Sequence, residues 1–293
     1  MPDKLHLLNQ RLIRLAQIDG FNSIGIECAG VFRASEVHEK VPAFYEPLVC
    51  LVGQGVKHCH VGDKTFCYQA GDFFINFLPM PVTSEIVRAD AHKPFLSAAL
   101  SINLVRLADM VLRIERFKGD IKADQADPAS CVVVAQADDE LIDVFTRLLS
   151  VAEKPLEADI LGEAIVDEIY YRLLTSKHGY ALRSLLNQYG QIQPISRVVS
   201  YIHDNMDRNI QVHELASIAN MSKTAFFGAF KKLMHVPPMQ YIKSTRLQKA
   251  QALLVQGMQA NEASYRVGYN SFSQFSREYK RFFGFPPSET RYA

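Results

Sequence analysis

The sequence contains no tryptophan, only 5 cysteines and a net charge of just +1 over its 293 residues. It also lacks a run of about 20 apolar residues, the length that crosses a bilayer, and a basic N-terminal segment leading into a long apolar run. We therefore expect neither a membrane span nor a secretory leader, and no membrane partner. With 48% hydrophobic residues, the chain has the composition of a globular protein and enough length for two cores.

The cysteines argue against a disulfide framework. Cys28, Cys50, Cys59, Cys67 and Cys131 are odd in number and include no C-x-x-C pair. This usage favours reduced thiols in a cytoplasmic protein. A cysteine that senses oxidants or electrophiles is an alternative, because an accessible thiol with a lowered pKa is reactive. Buried, inert thiols are the simpler interpretation, since the segments around them are apolar.

The small net charge hides an asymmetry along the chain. Residues 191–293 hold 13 Lys+Arg against 6 Asp+Glu, whereas residues 1–190 hold 19 against 25. A basic module fused to an acidic one is typical of a nucleic-acid binder that carries a second domain. The complementary charges also suggest a brake, in which the acidic part contacts the basic part until a signal arrives.

The basic part contains a duplicated unit, at residues 213–234 and 261–283. Each copy reads as a short apolar helix, a tight turn and a longer helix, which is the helix-turn-helix pattern. Asn220 and Gly268 occupy the turns, where a residue that tolerates positive φ is needed. Ser222 and Asn270 are placed to cap the longer helices by accepting their free amide hydrogens.

Helix geometry, at about 100° per residue, divides each longer helix into two faces. The inward faces are apolar: Phe226, Phe230 and Leu233 in the first unit, and Phe275, Tyr279 and Phe282 in the second. The outward faces carry Thr224, Gly228 and Lys231, and Ser273, Arg277 and Lys280. Hydroxyl and cationic side chains on such a face suit the major groove of double-stranded DNA. A plain helical bundle with solvated charges is the alternative.

Residues 238–256, between the two units, read as one continuous helix. Pro238 suits its first turn and Gly257 ends it. At about 1.5 Å per residue it spans roughly 28 Å, close to one turn of duplex at about 34 Å. We expect the two longer helices to enter successive major grooves on one side of the DNA.

Four strings in this region, RLQKA at 246–250, GYNS at 268–271, QFSREY at 274–279 and FGFPP at 283–287, resemble the AraC/XylS family of bacterial transcription regulators. The resemblance covers about the last hundred residues. It implies that seven side chains face DNA bases: Thr224, Phe227, Gly228, Phe272, Ser273, Gln274 and Arg277. The candidate DNA-binding set also includes the cap positions and the outward cations: Ser222, Lys223, Lys231, Asn270, Ser271 and Lys280. The family often has Arg or His near Gly228 and Gly at the position of Asn220. Phosphate contacts through Lys223, Lys231 and Lys232 are therefore the alternative to base contacts for the first unit.

Short strands separated by glycine turns fill much of the acidic part. They are predicted at Leu48–Val52, Val56–Val61, Thr65–Tyr68, Asp72–Phe77 and Phe95–Ser101, and indicate a small sandwich or barrel. Residues 20–155, with GQG at 53–55 and AGD at 70–72, are similar to the cupin-like N-terminal domain of one AraC subgroup. That resemblance implies a barrel that binds a small effector.

The complete prediction is an α+β chain, with a cupin-like barrel and flanking helices followed by an all-α domain with two helix-turn-helix units. We place the sensor domain at 1–178, a linker at 179–194 and the DNA-binding domain at 195–293. Helices are predicted at 5–18, 104–117, 138–152, 157–175 and 195–206. The broad apolar surface of the helix at 157–175 is either core or the interface of a homodimer.

His58 and His60 are the candidate effector-binding residues of the sensor. Two positions apart on a strand, they share a face, and His-x-His is a metal-ligand pattern in cupins. Asp63 lies in the next turn, but no later histidine offers a clear further ligand, so we expect no metal and no cofactor. There is also no catalytic constellation, which disfavours the alternative of a cupin-type metal enzyme with a helical domain that binds a partner protein.

The sequence thus predicts a sequence-specific transcription regulator, not an enzyme, that an effector controls by shifting how the DNA-binding domains are presented. RNA polymerase is a candidate further partner.

Overall fold

The structure is a computed structural model that describes residues 3–118, 131–176, 179 and 189–290. The α-helices within these ranges are α1 Lys4–Leu15, α2 Leu104–Lys118, α3 Asp139–Ala152, α4 Pro155–Thr175, α5 Tyr189–Asp204, α6 Val212–Ile218, α7 Lys223–Met234, α8 Pro238–Val255, α9 Ala260–Arg266 and α10 Phe272–Phe283. A 3-10 turn follows at Pro287–Glu289. None of the described helices has the length and apolar character to cross a membrane.

The strands of the described ranges all lie in the sensor part. They are β1 Gly20–Ser23, β2 Ala29–Ala34, β3 His38–Tyr45, β4 Leu48–Gln54, β5 Val56–Val61, β6 Lys64–Gln69, β7 Asp72–Asn76, β8 Met80–Arg88, β9 Phe95–Ser101 and β10 Val132–Gln136. One sheet has the order β1-β2-β9-β4-β7-β10 and the other the order β3-β8-β5-β6, with antiparallel pairing throughout.

The two sheets face each other across an aromatic core. Tyr68 from the smaller sheet lies 4.9 Å from Phe74 of the larger one, measured between ring centroids, and Tyr45 lies 5.9 Å from the same ring. Strand β5 shows how the core is filled, because Lys57 and Cys59 are buried while their neighbours along the strand are partly exposed. This period of two is what a half-buried strand requires, and the predicted α+β class is confirmed.

All five predicted strands are present, whereas β1, β2, β3, β8 and β10 were missed. Strand β3 illustrates the reason, because it contains Pro42 and has an irregular register between His38 and Val41. Its charged residues and proline resemble a loop, and only pairing with β8 makes it a strand. Helix α5 begins at Tyr189, earlier than the predicted start at Ile195, with Pro194 inside it. Most of the expected linker, residues 180–188, lies outside the described residues.

The two helix-turn-helix units differ in how they join the rest of the molecule. Phe226 and Phe230 of the first unit belong to one continuous apolar core with the β-sheets and the sensor helices. Phe275 and Tyr279 of the second unit belong to a separate, smaller core. The first unit therefore shares its core with the sensor, whereas the second has a core of its own, although its helix α10 also lies beside β3.

Neutral groups make the contact between the sensor and the helical part. The Tyr241 hydroxyl of α8 donates to the Pro79 carbonyl oxygen (2.7 Å), and the Gln248 amide donates to the Ala43 carbonyl oxygen. The Cys131 amide donates to the Leu233 carbonyl oxygen at the end of α7 (3.3 Å). None of the ion pairs among the described residues crosses this contact. The two parts do touch, but within the described ranges no ion pair of the kind that suggested a brake joins them.

Candidate nucleic-acid interface

Both helix-turn-helix units form where the sequence repeat predicts them. The short helices α6 and α9 begin at Val212 and Ala260, and the longer helices α7 and α10 begin at Lys223 and Phe272. In the turns, Asn220 has φ 53° and Gly268 has φ 84°. A Cβ at Gly268 would lie 2.3 Å from the Met206 carbonyl oxygen, so glycine is required there both by conformation and by space.

The caps of the longer helices follow one prediction and correct the other. Ser222 accepts a hydrogen bond from the Ala225 amide (3.3 Å), as expected. In the second unit the cap is Ser271, which accepts from the Gln274 amide (3.3 Å), and not Asn270. The second turn contains one more residue than the first, and that residue precedes the cap. Ser271 is therefore the true counterpart of Ser222.

The candidate DNA-binding side chains share one property, which is that all of them lie at the surface. The exposed residues are Ser222, Lys223, Thr224, Phe227, Gly228 and Lys231 of the first unit, and Asn270, Ser271, Phe272, Ser273, Gln274, Arg277 and Lys280 of the second. The core residues of the same helices, Phe226, Phe230, Phe275 and Tyr279, are fully buried. The predicted division into two faces is thus present in the structure, while contact with DNA remains a prediction.

The positive charge of the outward face is not neutralised by Glu278, because that carboxylate is already bonded to other groups. Glu278 accepts a hydrogen bond from the Tyr269 hydroxyl (2.9 Å) and forms an ion pair with Lys243 of α8 (3.2 Å). Burial pushes the pKa of Glu278 up, but the hydrogen bonds from Tyr269 and Lys243 outweigh it and hold that pKa below its ordinary value. No ion pair among the described residues involves Arg277 or Lys280.

Two aromatic rings add apolar surface to this face. Phe227 and Phe272 are 39% and 38% exposed, and each ring lies about 6 Å from a buried phenylalanine of its own unit. Supported in this way, an exposed ring can contact the methyl group of thymine. Gly228 has open space around its Cα, so a ligand can approach the backbone closely there.

A cavity of about 410 Å³ lies where the sensor meets the helical part. It is lined by Phe44 and Glu46 of the sensor and by His203, Met206, Thr245, Gln248, Lys249 and Ala252 of the helices. Gln248 is buried, and its Oε1 has no hydrogen-bond partner among the described residues. A buried acceptor without a partner is costly, and this one lies behind the surface of the cavity wall. Sequence reasoning missed the cavity, because its walls come from segments about 200 residues apart.

His58 and His60 lie elsewhere. They alternate with the buried Lys57 and Cys59 on β5, so they face away from the core between the sheets. Neither lines the cavity. The third polar group beside them is Glu85, with Oε2 at 2.9 Å from the His60 Nε2, and not Asp63. The sequence alone does not reveal that Glu85 is the neighbour of these histidines, because the contact depends on the register between β5 and β8.

The cysteines are all free thiols. Burial raises the pKa of Cys50 to about 11 and the pKa values of Cys59 and Cys131 to about 12. The pKa of Cys28 is also raised by burial. Raised pKa values keep these thiols protonated and unreactive. Cys67 is exposed and Cys28 is partly buried, so Cys67 is the thiol that fits the sensing alternative best.

The fold defines a class of protein: a β-sheet domain joined to a helical domain that contains two helix-turn-helix units. The family profile described as "AraC-type transcriptional regulator N-terminus" matches residues 25–181, and a second profile described as "Helix-turn-helix domain" matches residues 215–293. The chain belongs to the AraC family of transcriptional regulators.

Individual relatives agree with this assignment. The transcriptional regulator GbdR of Pseudomonas aeruginosa is 29% identical over 133 residues, which is 45% of this chain and 36% of GbdR. The chain thus spans about a third of the length of that relative. The virulence regulon transcriptional activator VirF of Yersinia enterocolitica is 24% identical over 217 residues, 74% of this chain and 79% of VirF.

Among solved structures, ToxT of Vibrio cholerae O395 bound to (E)-4-(8-methylnaphthalen-1-yl)but-3-enoic acid has a TM-score of 0.58 at 12% identity. The match covers 89% of this chain and 96% of that one. The apo ToxT K231A structure has a TM-score of 0.55 and covers 93% of this chain and 98% of ToxT. At this identity the likeness establishes the shared fold of a β-sheet domain joined to a helical domain.

Proposed function

We propose that the protein is a sequence-specific transcription regulator that binds double-stranded DNA through α7 and α10 and is controlled by a small effector. The observation that carries the proposal is the exposed polar face of both helices, on which Arg277 and Lys280 form no ion pair with any described residue. Membership of the AraC family supports it. The proposed role is regulatory and not enzymatic, and it is exercised in the cytoplasm, where the DNA lies.

Arg277 provides the sharpest test of base reading. If the guanidinium contacts a base edge, Arg277→Ala costs about 1–3 kcal/mol for the cognate duplex and much less for a scrambled one. Arg88→Ala, which removes the same charge from an exposed position in the sensor, is the matched control and should leave both affinities unchanged. Equal losses on the two duplexes would make Arg277 a phosphate contact.

Salt dependence tests the remaining cations together. Counterion release makes the logarithm of affinity fall linearly with the logarithm of salt concentration, with a slope that grows with the number of phosphates contacted. Removing a lysine that contacts phosphate, such as Lys231, should reduce this slope by about one. A flat salt dependence would contradict a surface that follows the DNA backbone.

We propose that the effector occupies the cavity between the sensor and the helical part. The apolar side chains of Phe44 and Met206 suit an apolar body, and Glu46 and Lys249 offer a carboxylate and an ammonium group to the polar groups of a ligand. A ligand that contacts both the sensor and the helical part binds their docked arrangement more tightly than the separated one, and it therefore stabilises the docked arrangement. Screening small hydroxylated and amine-bearing compounds by thermal shift should yield stabilisers of the wild type that fail on Ala252→Trp, where the indole fills the cavity. Stabilisers that act equally on both proteins would place the effector elsewhere.

We also propose a homodimer that forms through helix α4. Leu156, Ile160 and Leu161 are exposed on it, whereas Ile165 and Ile169 of the same helix are buried. Light scattering should report a dimer for the wild type and a monomer for Ile160→Asp. Ile13→Asp, at an exposed position of α1, is the control and should remain dimeric. RNA polymerase is the further partner that a DNA-bound activator would contact.

A further inference from the structure

A compact group of ligand atoms lies on the sensor, apart from the DNA-binding face and the cavity. It consists of His58 and His60 on β5 and Glu85 on β8, and their ligand atoms all lie within 4.8 Å of one another. The Glu85 Oε2 is 2.9 Å from the His60 Nε2 and 3.5 Å from the His58 Nδ1. The strand register places Glu85 directly opposite His58, so the backbone holds the three side chains together.

The group faces outward and is partly shielded. The exposed fractions of the side chains are 26% for His58, 16% for His60 and 29% for Glu85. Since Lys57 and Cys59 point into the core, the histidines cannot serve a site inside the barrel. They form a site on the outer surface of the smaller sheet.

The hydrogen bonds of His60 fix the orientation of its ring. Its Nδ1 lies 2.9 Å from the Thr65 hydroxyl oxygen, and its Nε2 lies 2.9 Å from the Glu85 Oε2. Because the Thr65 hydroxyl can either donate or accept, it can accept the Nδ1 proton and leave the lone pair of Nε2 available to an ion bound beside Glu85.

We propose that His58, His60 and Glu85 bind a divalent late first-row transition metal ion of the Zn²⁺, Ni²⁺ or Cu²⁺ class. Two imidazole nitrogens and one carboxylate oxygen are the donors that these ions prefer. The Thr65 hydroxyl orients the His60 ring, as a hydrogen bond to the second ring nitrogen commonly does for a metal-binding histidine. Cys67 lies opposite His58 on β6, but its sulfur does not belong to the group of mutually close ligand atoms. The ion would therefore have three protein ligands, and a water molecule can take a fourth position.

The position of the site gives the ion a structural consequence. Gly62, two residues after His60, lies in the turn that abuts the backbone of His235 at the end of α7. An ion bound to β5 and β8, the two central strands of the smaller sheet, would hold rigid the end of β5 that leads into this turn beside the first helix-turn-helix unit. Metal binding itself does not depend on the DNA-binding role, so the two proposals fail separately.

The test is a competition titration of the full chain, stripped with a chelator, in which Zn²⁺ is shared with a chromophoric chelator. We expect one ion per chain for the wild type, and a loss of affinity larger than about 100-fold for His60→Ala and Glu85→Gln. Thr65→Val should lose about 10–100-fold, the usual effect of removing a hydrogen bond to a metal ligand. Circular dichroism checks that each variant is folded. We expect all of them to fold, because the substituted side chains lie at the surface.

Two controls make the result decisive. His92→Ala, at an exposed histidine of another loop, and Cys67→Ser should bind Zn²⁺ as the wild type does. Absence of binding in the wild type would overturn the proposal and leave His60 hydrogen-bonded to Glu85 and Thr65 without an ion. A loss confined to Cys67→Ser, or an equal loss in His92→Ala, would also overturn it.

Discussion

Replacing Gly62 by alanine should separate the sensor from the first helix-turn-helix unit. Gly62 lies in the turn between β5 and β6 with φ 61°, and a Cβ there would be 2.0 Å from the His235 carbonyl oxygen. Gly71, in the turn between β6 and β7, has φ 89°, and a Cβ there would have no described atom within 4 Å. Alanine at either site incurs the left-handed backbone strain, about 1–2 kcal/mol. Only at Gly62 must the two domains also move apart.

The contacts beside Gly62 set the size of the additional effect. The Phe66 and His235 rings lie 5.8 Å apart between centroids, and the Cys131 amide donates to the Leu233 carbonyl oxygen. A hydrogen bond contributes about 0.5–1.5 kcal/mol, and a ring pair contributes about as much. We therefore expect Gly62→Ala to cost roughly 1–3 kcal/mol more than Gly71→Ala.

Hydrogen exchange read by mass spectrometry localises the change, and thermal unfolding measures its size. In Gly62→Ala, peptides that cover residues 62–66 and 233–236 should exchange faster, whereas Gly71→Ala should leave residues 233–236 protected as in the wild type. Identical exchange and melting temperatures for the two variants would refute the reasoning, because they would mean that the turn does not hold the first unit.

Three further predictions concern the helical part. Ser271→Ala should destabilise the protein by about 0.5–2 kcal/mol, the cost of a lost N-terminal cap, while Asn270→Ala should cost less in the same urea titration; the reverse order would restore Asn270 as the cap. Glu278→Gln should lower the stability of the protein at neutral pH. The bonded partners of Glu278 favour its ionised form and hold its pKa below the ordinary value of 4.5. That stability is present above the ordinary pKa and is lost as the pH falls through the lowered pKa, so wild type and variant should converge in acid, and a difference independent of pH would contradict the assignment. Tyr241→Phe should cost about 1–3 kcal/mol by leaving the Pro79 carbonyl oxygen without its donor, and an unchanged melting temperature would show that water replaces the hydroxyl.

The sequence was informative wherever the cause of a structure is local. The positive φ of Asn220 and Gly268 was predictable because few residues tolerate that conformation. The buried and exposed faces of α7 and α10 followed from helical periodicity alone. The cap of α10 was misplaced by one residue, since repeat alignment cannot tell on which side of a cap an inserted residue lies. Ser271 is identified by the hydrogen bond it accepts.

Strands show where local reasoning weakens. The alternation along β5 was readable, but the pattern cannot say which of its two faces is the inner one. The chain has Lys57 and Cys59 inside and His58 and His60 outside, the opposite of what an effector pocket inside the barrel would need. Strand β3 was missed because its pairing partner, and not its composition, makes it a strand.

The sequence by itself determined the repeated DNA-binding unit, its turn residues and its polar face, because these depend on interactions within a few residues. Only the tertiary structure decided that Glu85 faces His58, that the cavity forms between Phe44 and Gln248, and that the first unit shares its core with the sensor. Each of these brings together segments distant in the chain, and their meeting depends on strand register and on domain packing, which no local pattern encodes.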